Sequence, residues 1–144
     1  MRKAISELLL LDVNVLLAVA WPQHVFHELA RPRFRRAERW ASCSLTQLSF
    51  VRLSATVEYA HEPATLLTAA AMFEGLTSDG RHQHLEAMPS AFRIGINFGR
   101  LHGPGQVTDA YLMALARHYG ATLLTLDRRM LSLAGPGELE LLTP

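Results

Sequence analysis

The aspartates are the residues of this chain best suited to carry chemistry, and there are four of them: Asp12, Asp79, Asp109 and Asp127. Asp12 is the one charged residue in the apolar run Leu8–Trp21. Asp127 ends the apolar stretch "ATLLTLD", and Asp109 lies near the start of a predicted helix. An ionised carboxylate in apolar surroundings needs a hydrogen-bond donor, a counter-charge or a metal ion. Asp79 lies in the turn "TSDG", where aspartate is common for local reasons.

Each of the other three acids, taken alone, is explained by a structural role, because aspartate is favoured at helix N-termini. Taken together, their positions indicate more. In an open parallel α/β sheet, the carboxyl ends of the strands and the N-termini of the following helices meet at one edge. Carboxylates that converge there repel one another, and a hard divalent cation with oxygen ligands removes that repulsion. The pattern predicts a metal site at this edge, with helix capping alone as the alternative.

The elements that must position these acids alternate between short apolar strands and helices. This alternation predicts a single α/β domain over residues 1–144, with a mostly parallel central sheet flanked by helices. The predicted strands are "LLLLD", "WASCSL" (Trp40–Leu45), "ATLLTLD" and "LELL", and residues 81–105 are expected to hold a short strand, a turn and a loop. The predicted helices are "NVLLAVAW", "HVFHELA" with a break at Pro32 and a new start near Arg33, "TQLSFVRLSATVE", Pro63–Leu76, "VTDAYLMALARHYG" and "RRMLSLAG".

Start and stop signals bound three of these helices. Thr46 and Thr108 are candidate N-caps, because a threonine oxygen can accept a hydrogen bond from the N–H groups of the first turn. Apolar residues recur from Leu66 at helical spacing, which predicts an amphipathic helix over Pro63–Leu76 with the proline in its first turn. Gly120 is expected to end the helix that Thr108 begins.

Composition describes an ordinary globular domain, with 49% hydrophobic and 19% charged residues. No apolar run reaches the roughly 20 residues that span a bilayer. The single cysteine, Cys43, rules out an internal disulfide, is expected in the core and fits a reducing cytoplasm. A net charge of +1 implies no polyanionic partner, yet five arginines crowd into Arg31–Arg39. That run is either a solvated helix face or an edge that binds phosphates or carboxylates.

Motifs for several rival chemistries are absent from the sequence. A phosphotransfer receiver needs a lysine late in the chain, and none follows Lys3. A D-x-D phosphatase needs an acid where this chain has Asn14, and neither a dinucleotide-binding loop nor a P-loop is present. The seven histidines form no H-E-x-x-H motif, and two close pairs are more typical of exposed polar residues than of zinc ligands: His24/His27 and His82/His84.

Three segments resemble a PIN domain, most closely a VapC-type ribonuclease toxin of a toxin–antitoxin pair. They are "LLLLDVNVLLAVAW", "WASCSLTQLSFVRLS" and "VTDAYLMALARHYGATLLTLDRRM", and they cover nearly the whole chain. The resemblance implies a PIN-like fold and endonucleolytic cleavage of RNA that depends on Mg²⁺ or Mn²⁺. It also implies homodimerisation and inhibition by a cognate antitoxin. In such a site the metal lowers the pKa of a bound water and polarises the phosphoryl oxygen, while Asp109 or Asp12 accepts a proton.

Carried over residue by residue, the resemblance implies that Asp12, Asp109 and Asp127 are metal-binding acids. Asn14 matches a polar residue that supports the first of them. Thr108 is expected to cap the helix beside Asp109 and to help orient the site.

One position departs from the family pattern. Gln47 stands where the family usually has a glutamate, and its neutral amide can still present a carbonyl oxygen to a cation or a water. The missing charge is expected to weaken divalent binding. Glu58 lies eleven residues further on, about 16 Å along a helix, and cannot take the same place. Gln47 is either such a ligand or an exposed glutamine at the start of a helix. Three functions stay open: a metal-dependent ribonuclease toxin, a PIN-fold protein with weak or lost catalysis that still binds RNA or an antitoxin, and an α/β domain whose acids only cap helices.

Overall fold

A computed structural model describes residues 7–56 and 62–144 of the chain, so Lys3 and Glu58 lie outside the described residues. The strands are β1 (Leu9–Leu11), β2 (Trp40–Ser42), β3 (His82–His84), β4 (Thr122–Thr125) and β5 (Leu139–Leu141). The helices are α1 (Val13–Ala20), α2 (His27–Arg36), α3 (Ser44–Ser54), α4 (Leu66–Thr77) and α5 (Val107–Tyr119). Three 3₁₀ turns span Phe98–Arg100, Pro104–Gln106 and Arg128–Leu133.

The described strands form one parallel sheet in the order β3-β2-β1-β4-β5. Its central strand β1 is apolar throughout because both of its faces are covered. Leu9 and Leu11 pack into a core built by helices α1 to α4, whereas Leu10 packs into a second core beneath α5. The predicted α/β fold with a mostly parallel sheet and flanking helices is confirmed.

Pro32 was predicted to kink or end this helix, with a new helix starting near Arg33. Helix α2 continues through Pro32, so the predicted end and new start are wrong. Proline removes one backbone hydrogen bond, but its neighbours Ala30 and Phe34 are buried in the core and hold the helix in place. The Arg81 guanidinium also donates to the carbonyls of Phe34 (2.7 Å) and Ala37 (2.9 Å), which satisfies the last turn.

The predicted starts of α3 and α4 are wrong. Cys43 is the N-cap of α3, and Thr46 lies in the first turn, where its hydroxyl accepts from the Cys43 amide at 3.2 Å. Strand β2 consequently ends at Ser42, earlier than predicted. Thr65 caps α4 by accepting from the Thr68 amide at 3.1 Å, so Pro63 lies before the helix. The sequence pattern placed each helix start to within a few residues, but it did not show which of several suitable residues is the N-cap.

Residues 128–133 form a 3₁₀ turn rather than the predicted α-helix. This turn is short because the chain must return at once to pair β5 with β4. None of the helices within residues 7–56 and 62–144 is both long and apolar enough to cross a bilayer.

The cysteine and two of the histidines lie inside the fold. Cys43 is fully buried, as predicted. His27 is also buried, with its Nδ1 2.7 Å from the Ala18 carbonyl oxygen, and His82 packs on the Trp40 ring at 4.4 Å. The expectation that the paired histidines are simply exposed is therefore wrong for His27, which fills a structural role.

The arginines of the run Arg31–Arg39 lie in different surroundings in the folded protein. Arg33 is the most enclosed of its members and forms ion pairs with Glu7 (2.5 Å) and Glu140 (2.6 Å). Arg36 ends α2 and Arg39 precedes β2, which places them at the amino-terminal edge of the sheet. The run is thus partly a structural ion-pair network, and its last members lie at the edge opposite the strand ends that carry the aspartates.

Candidate active site

Asp12 lies at the junction of β1 and α1, where its backbone N–H donates to the Leu124 carbonyl at 2.9 Å. It is the N-cap of α1, and one carboxylate oxygen accepts from the Val13 amide at 2.8 Å. The other oxygen accepts from the Thr125 hydroxyl, also at 2.8 Å. The side chain is only 4% exposed. Both oxygens are therefore held in fixed directions at the carboxyl edge of the sheet.

Burial is the main reason that the pKa of Asp12 is raised, and the Asp127 charge raises it further. The hydrogen bonds from Thr125 and Val13 act in the opposite direction, since they stabilise the ionised form. The balance leaves Asp12 as a carboxylate whose charge is incompletely compensated, which is a physical reason for a cation to bind there.

Thr125 is the polar last residue of β4, and sequence reasoning missed it. Besides donating to Asp12, its oxygen accepts from the Asn14 side-chain amide (3.3 Å) and from the Asp127 backbone N–H (3.1 Å). Asn14 in turn accepts from the Leu126 amide at 3.2 Å. The sequence does contain a signal for this role, because a threonine ends an apolar strand two residues before an acid. The hydrogen bonds agree with a supporting position for Asn14, although they reach Asp12 through Thr125.

Asp127 follows β4 and caps the 3₁₀ turn Arg128–Leu133. Its carboxylate accepts from the Arg129 backbone N–H at 3.0 Å. The Arg129 guanidinium adds two further hydrogen bonds to the two carboxylate oxygens, at 3.0 and 2.9 Å. This pairing with Arg129 lowers the pKa of Asp127. Arg129 is the counter-ion of the site, and its side chain remains 84% exposed.

Asp109 reaches the same edge from the first turn of α5. Its pKa is raised to about 6, first by partial burial and then by the charges of Asp12 and Asp127, with Arg129 opposing the shift. Because the charges of both Asp12 and Asp127 contribute to this shift, the three acids lie near one another at this edge of the sheet. The structure thus brings together three carboxylates that are separated widely along the chain.

The donor chemistry of these acids fits a hard divalent cation, because they are oxygen ligands with more negative charge than Arg129 offsets. Among the described residues, however, no three His, Cys, Asp or Glu side chains are already arranged to hold a metal ion. Asp127 is turned to Arg129 instead. Asp12, Asp109 and Asp127 are the residues that would hold the ion, with Asp127 exchanging part of its pairing to do so.

Gln47 lies in a separate polar cluster at the ends of β2 and β3. Its amide nitrogen is 3.1 Å from the Ser42 hydroxyl and 3.0 Å from His84 Nδ1. The Ser42 hydroxyl is also 2.8 Å from His82 Nε2. No hydrogen bond found within the described ranges joins Gln47 to any of the three aspartates. The predicted association of Gln47 with the acids is therefore not seen in its hydrogen bonds.

Thr108 is not the N-cap of α5, and that prediction is wrong. The helix begins at Val107, its N-cap is Gln106, and Thr108 lies exposed within the first turn. The reason is that the 3₁₀ turn Pro104–Gln106 leads directly into the helix, so the chain is already helical when it reaches Thr108. The end of the helix was predicted correctly, since Gly120 adopts the left-handed conformation with a φ of 67°.

Replacing Thr125 by valine is expected to lower the free energy of unfolding by about 1–3 kcal/mol, because a buried oxygen of Asp12 loses its donor. Valine keeps the shape of threonine but cannot make the hydrogen bonds to Asn14 and Asp127. Urea denaturation would measure the change. Thr125→Ser is the control, since it keeps the hydroxyl and loses only a methyl group. A valine variant as stable as the serine variant would show that the network contributes nothing.

Comparison with known proteins identifies the family of the chain. Residues 9–136 match the PIN domain family. The chain is 40% identical to "Ribonuclease VapC44" of Mycobacterium tuberculosis (strain ATCC 25618 / H37Rv), over 89% of this chain and 92% of that protein. It is 35% identical to "Ribonuclease VapC38" of the same strain, over 87% of this chain and 89% of that protein.

A solved structure shares the fold: "Crystal structure of VapBC2 from Rickettsia felis bound to a DNA fragment from their promoter". It superposes with a TM-score of 0.60 at 14% identity, covering 94% of this chain and 99% of that chain. At this identity the likeness concerns the fold alone. The family match and the sequence relatives carry the assignment, because both extend over most of the chain. The chain therefore belongs to the PIN-domain family and, within it, groups with the VapC-type ribonucleases.

Proposed function

We propose that this protein is a metal-dependent endoribonuclease that acts as the toxin of a toxin–antitoxin pair, using Mg²⁺ or Mn²⁺. The observation that carries the proposal is the position of Asp12, Asp109 and Asp127 at one edge of the sheet. Partial burial, together with the charges of Asp12 and Asp127, raises the pKa of Asp109 there to about 6. The relatives named as VapC ribonucleases support the same activity.

Asp12, Asp109 and Asp127 would bind the cation, which when bound activates a water and polarises the phosphoryl oxygen of the RNA. Asn14 and Thr125 keep Asp12 in a fixed orientation through their hydrogen bonds. Such prior orientation avoids reorganisation during the reaction.

Asp109 is better placed than Asp12 to accept the proton released by the attacking water. Both oxygens of Asp12 already accept hydrogen bonds, and its side chain is almost fully buried. Asp109 is only partly buried, and no hydrogen bond to its carboxylate is found among the described residues, so a water molecule can reach it.

We include an antitoxin partner and a homodimer in this proposal. The structural neighbour is VapBC2 from Rickettsia felis bound to a DNA fragment from its promoter, and this supports a partner protein for the present chain. Large apolar side chains are exposed on α3 and α4, including Leu48 (71%) and Leu67 (82%). Exposed apolar residues that group on one surface are typical of protein–protein interfaces.

A second candidate function is RNA or antitoxin binding with weak or lost catalysis. It is favoured by the position of Gln47, whose amide is engaged by Ser42 and His84. Gln47 is neutral, so it supplies no negative charge to a cation near Asp12 in place of the glutamate that is usual in the family.

The test is RNA cleavage by the wild type and by Gln47→Glu, each with Mn²⁺, Mg²⁺ or EDTA. We expect the wild type to cleave RNA with either metal and EDTA to abolish cleavage, because the charged phosphate and water need the cation. We expect Gln47→Glu to change the rate by less than about tenfold, since its hydrogen bonds lie with Ser42 and His84. An inert wild type with an active Gln47→Glu would favour the second function. If Mn²⁺ also fails to raise the melting temperature, the aspartates serve as helix caps only.

A further inference from the structure

An open groove of about 590 Å³ begins at Asp109. One wall is formed by His102 and the turn Pro104–Gln106, and the other by residues of the turn Arg128–Leu133. A cavity of this size is typical of sites that bind a small molecule or one unit of a larger one. The groove opens directly on an acid of the proposed catalytic site.

The groove is lined by cationic side chains. Arg128 and Arg129 both face it, and both are exposed. Arg129 is paired with Asp127, whereas no ion pair of Arg128 is found within the part of the chain that the structure describes. Asp109 is the acid among the lining residues. A guanidinium with free donors beside a phosphodiester-cleaving centre is suited to a phosphate oxygen, since its planar fork matches phosphate geometry.

The groove continues into a second cavity of about 720 Å³, which shares His102 and Ser132 with it. This second cavity is also lined by Asn97 and Arg100. Cations therefore follow one another along a path that leads away from Asp109. Such a sequence of cations matches the repeated charge of a nucleic-acid backbone better than it matches a single anion.

Two exposed aromatic side chains lie in or close to the turn that carries Arg100, although neither is among the residues that line the two cavities. Phe98 begins the turn that carries Arg100 and is 43% exposed. The Phe92 ring lies 5.8 Å from the Phe98 ring and is 84% exposed. Unpaired bases stack on exposed aromatic rings, whereas the bases of a duplex are already stacked on each other.

From these observations we infer that the groove from Asp109 past Arg128 to Arg100 binds the backbone of single-stranded RNA, with Arg128 as a phosphate ligand. The inference rests on the proposed function, since it states where the substrate of that site lies. Acidic side chains of a protein partner can also bind arginine, but the direct opening of the groove on Asp109 favours the substrate. A partner protein is treated as an outcome of the test.

The test measures the binding of a fluorescein-labelled, single-stranded oligoribonucleotide by fluorescence anisotropy in EDTA, where metal-dependent cleavage cannot occur. Arg128→Gln is expected to weaken binding about fivefold, because one charge-assisted contact to phosphate is lost. The slope of log affinity against log salt should fall by about 0.7, the value for one phosphate contact on a single strand. Arg128→Lys keeps the charge and should retain most of the affinity.

Arg35→Gln is the matched control, because Arg35 is also exposed but lies on α2 and does not line the groove. It removes the same charge and should leave RNA binding nearly unchanged. Equal weakening by both variants would overturn the inference, since the effect would then follow net charge alone. Unchanged binding by Arg128→Gln would overturn it as well, and lost antitoxin binding by that variant would then assign the groove to the partner.

Failure of this inference is separable from failure of the proposed function. Binding in EDTA does not depend on catalysis. If the protein binds RNA through Arg128 but cleaves no RNA with either metal, the inference about the groove stands and the proposed ribonuclease activity fails. If the protein cleaves RNA but Arg128→Gln leaves RNA binding unchanged, the proposed function stands and the inference about the groove fails. Circular dichroism of each variant would show that the fold is intact.

Discussion

Asp12→Asn is expected to reduce metal-dependent RNA cleavage by about a thousandfold or more, because the site loses its most rigidly held carboxylate. The substitution keeps the size of the side chain, and the remaining carbonyl oxygen can still accept from Val13 or Thr125. Cleavage rates under single-turnover conditions, with Mn²⁺ titrated over a wide range, would measure the loss. The titration separates weaker metal binding from a slower reaction.

The same variant should be no less stable than the wild type when metal is absent. Burial and the Asp127 charge raise the pKa of Asp12, so the ionised form is disfavoured in the folded protein. At neutral pH, replacing that ion by a neutral amide removes an unfavourable charge. Melting temperatures in EDTA would test this, with Glu86→Gln as a control that removes an exposed acid. Wild-type cleavage by Asp12→Asn would contradict the proposed mechanism.

Asp109→Asn is expected to lose cleavage on a similar scale and also to change how stability depends on pH. The folded protein holds the pKa of Asp109 at about 6, above the usual 3.8. Between those values the folded state binds more protons at this site than the unfolded state, so this group makes stability fall as pH rises. Its unfavourable contribution is complete above about pH 6. In metal-free protein, Asp109→Asn should therefore be more stable than the wild type at pH 7, on the order of 1 kcal/mol after solvent screening.

Urea unfolding at a series of pH values between 4 and 7 in EDTA would measure this effect of Asp109. The variant should lack the part of the slope that lies between the usual pKa and about 6. In the wild type, Mn²⁺ binding should weaken as pH falls below about 6, because the ion needs the deprotonated carboxylate. A variant with the wild-type slope would show that Asp109 does not titrate in this range.

The sequence was informative where a local pattern of residues determines where those residues lie in the fold. Apolar strands such as β1 had to be buried on both faces, and the acid that follows such a strand had to lie at its carboxyl end. Asp12 and Asp127 were expected at one edge for that reason, and Asp109 was expected there because helix N-termini point at the same edge. The charges of Asp12 and Asp127 add to the burial that raises the pKa of Asp109.

Boundaries and long-range partners were less accessible to sequence reasoning. Thr46, Pro63 and Thr108 are each compatible with a helix start, but the actual starts depend on how the preceding residues pack and turn. The pairing of Arg33 with Glu7 and Glu140 was equally hidden, because these partners come from distant parts of the chain. A run of arginines therefore looked more available for binding than it is.

By itself, then, the sequence determined the α/β architecture and the edge at which Asp12, Asp109 and Asp127 lie, because strand and helix periodicity constrain topology. Only the tertiary structure decided what each carboxylate contacts. Thr125 holds Asp12 across 113 residues of chain because β1 and β4 pair side by side, with Leu11 opposite Leu124. Arg129 forms an ion pair with Asp127, and the Gln47 amide nitrogen lies within hydrogen-bond distance of Ser42 and His84. Such contacts depend on side-chain directions within a few ångströms, which periodicity does not encode.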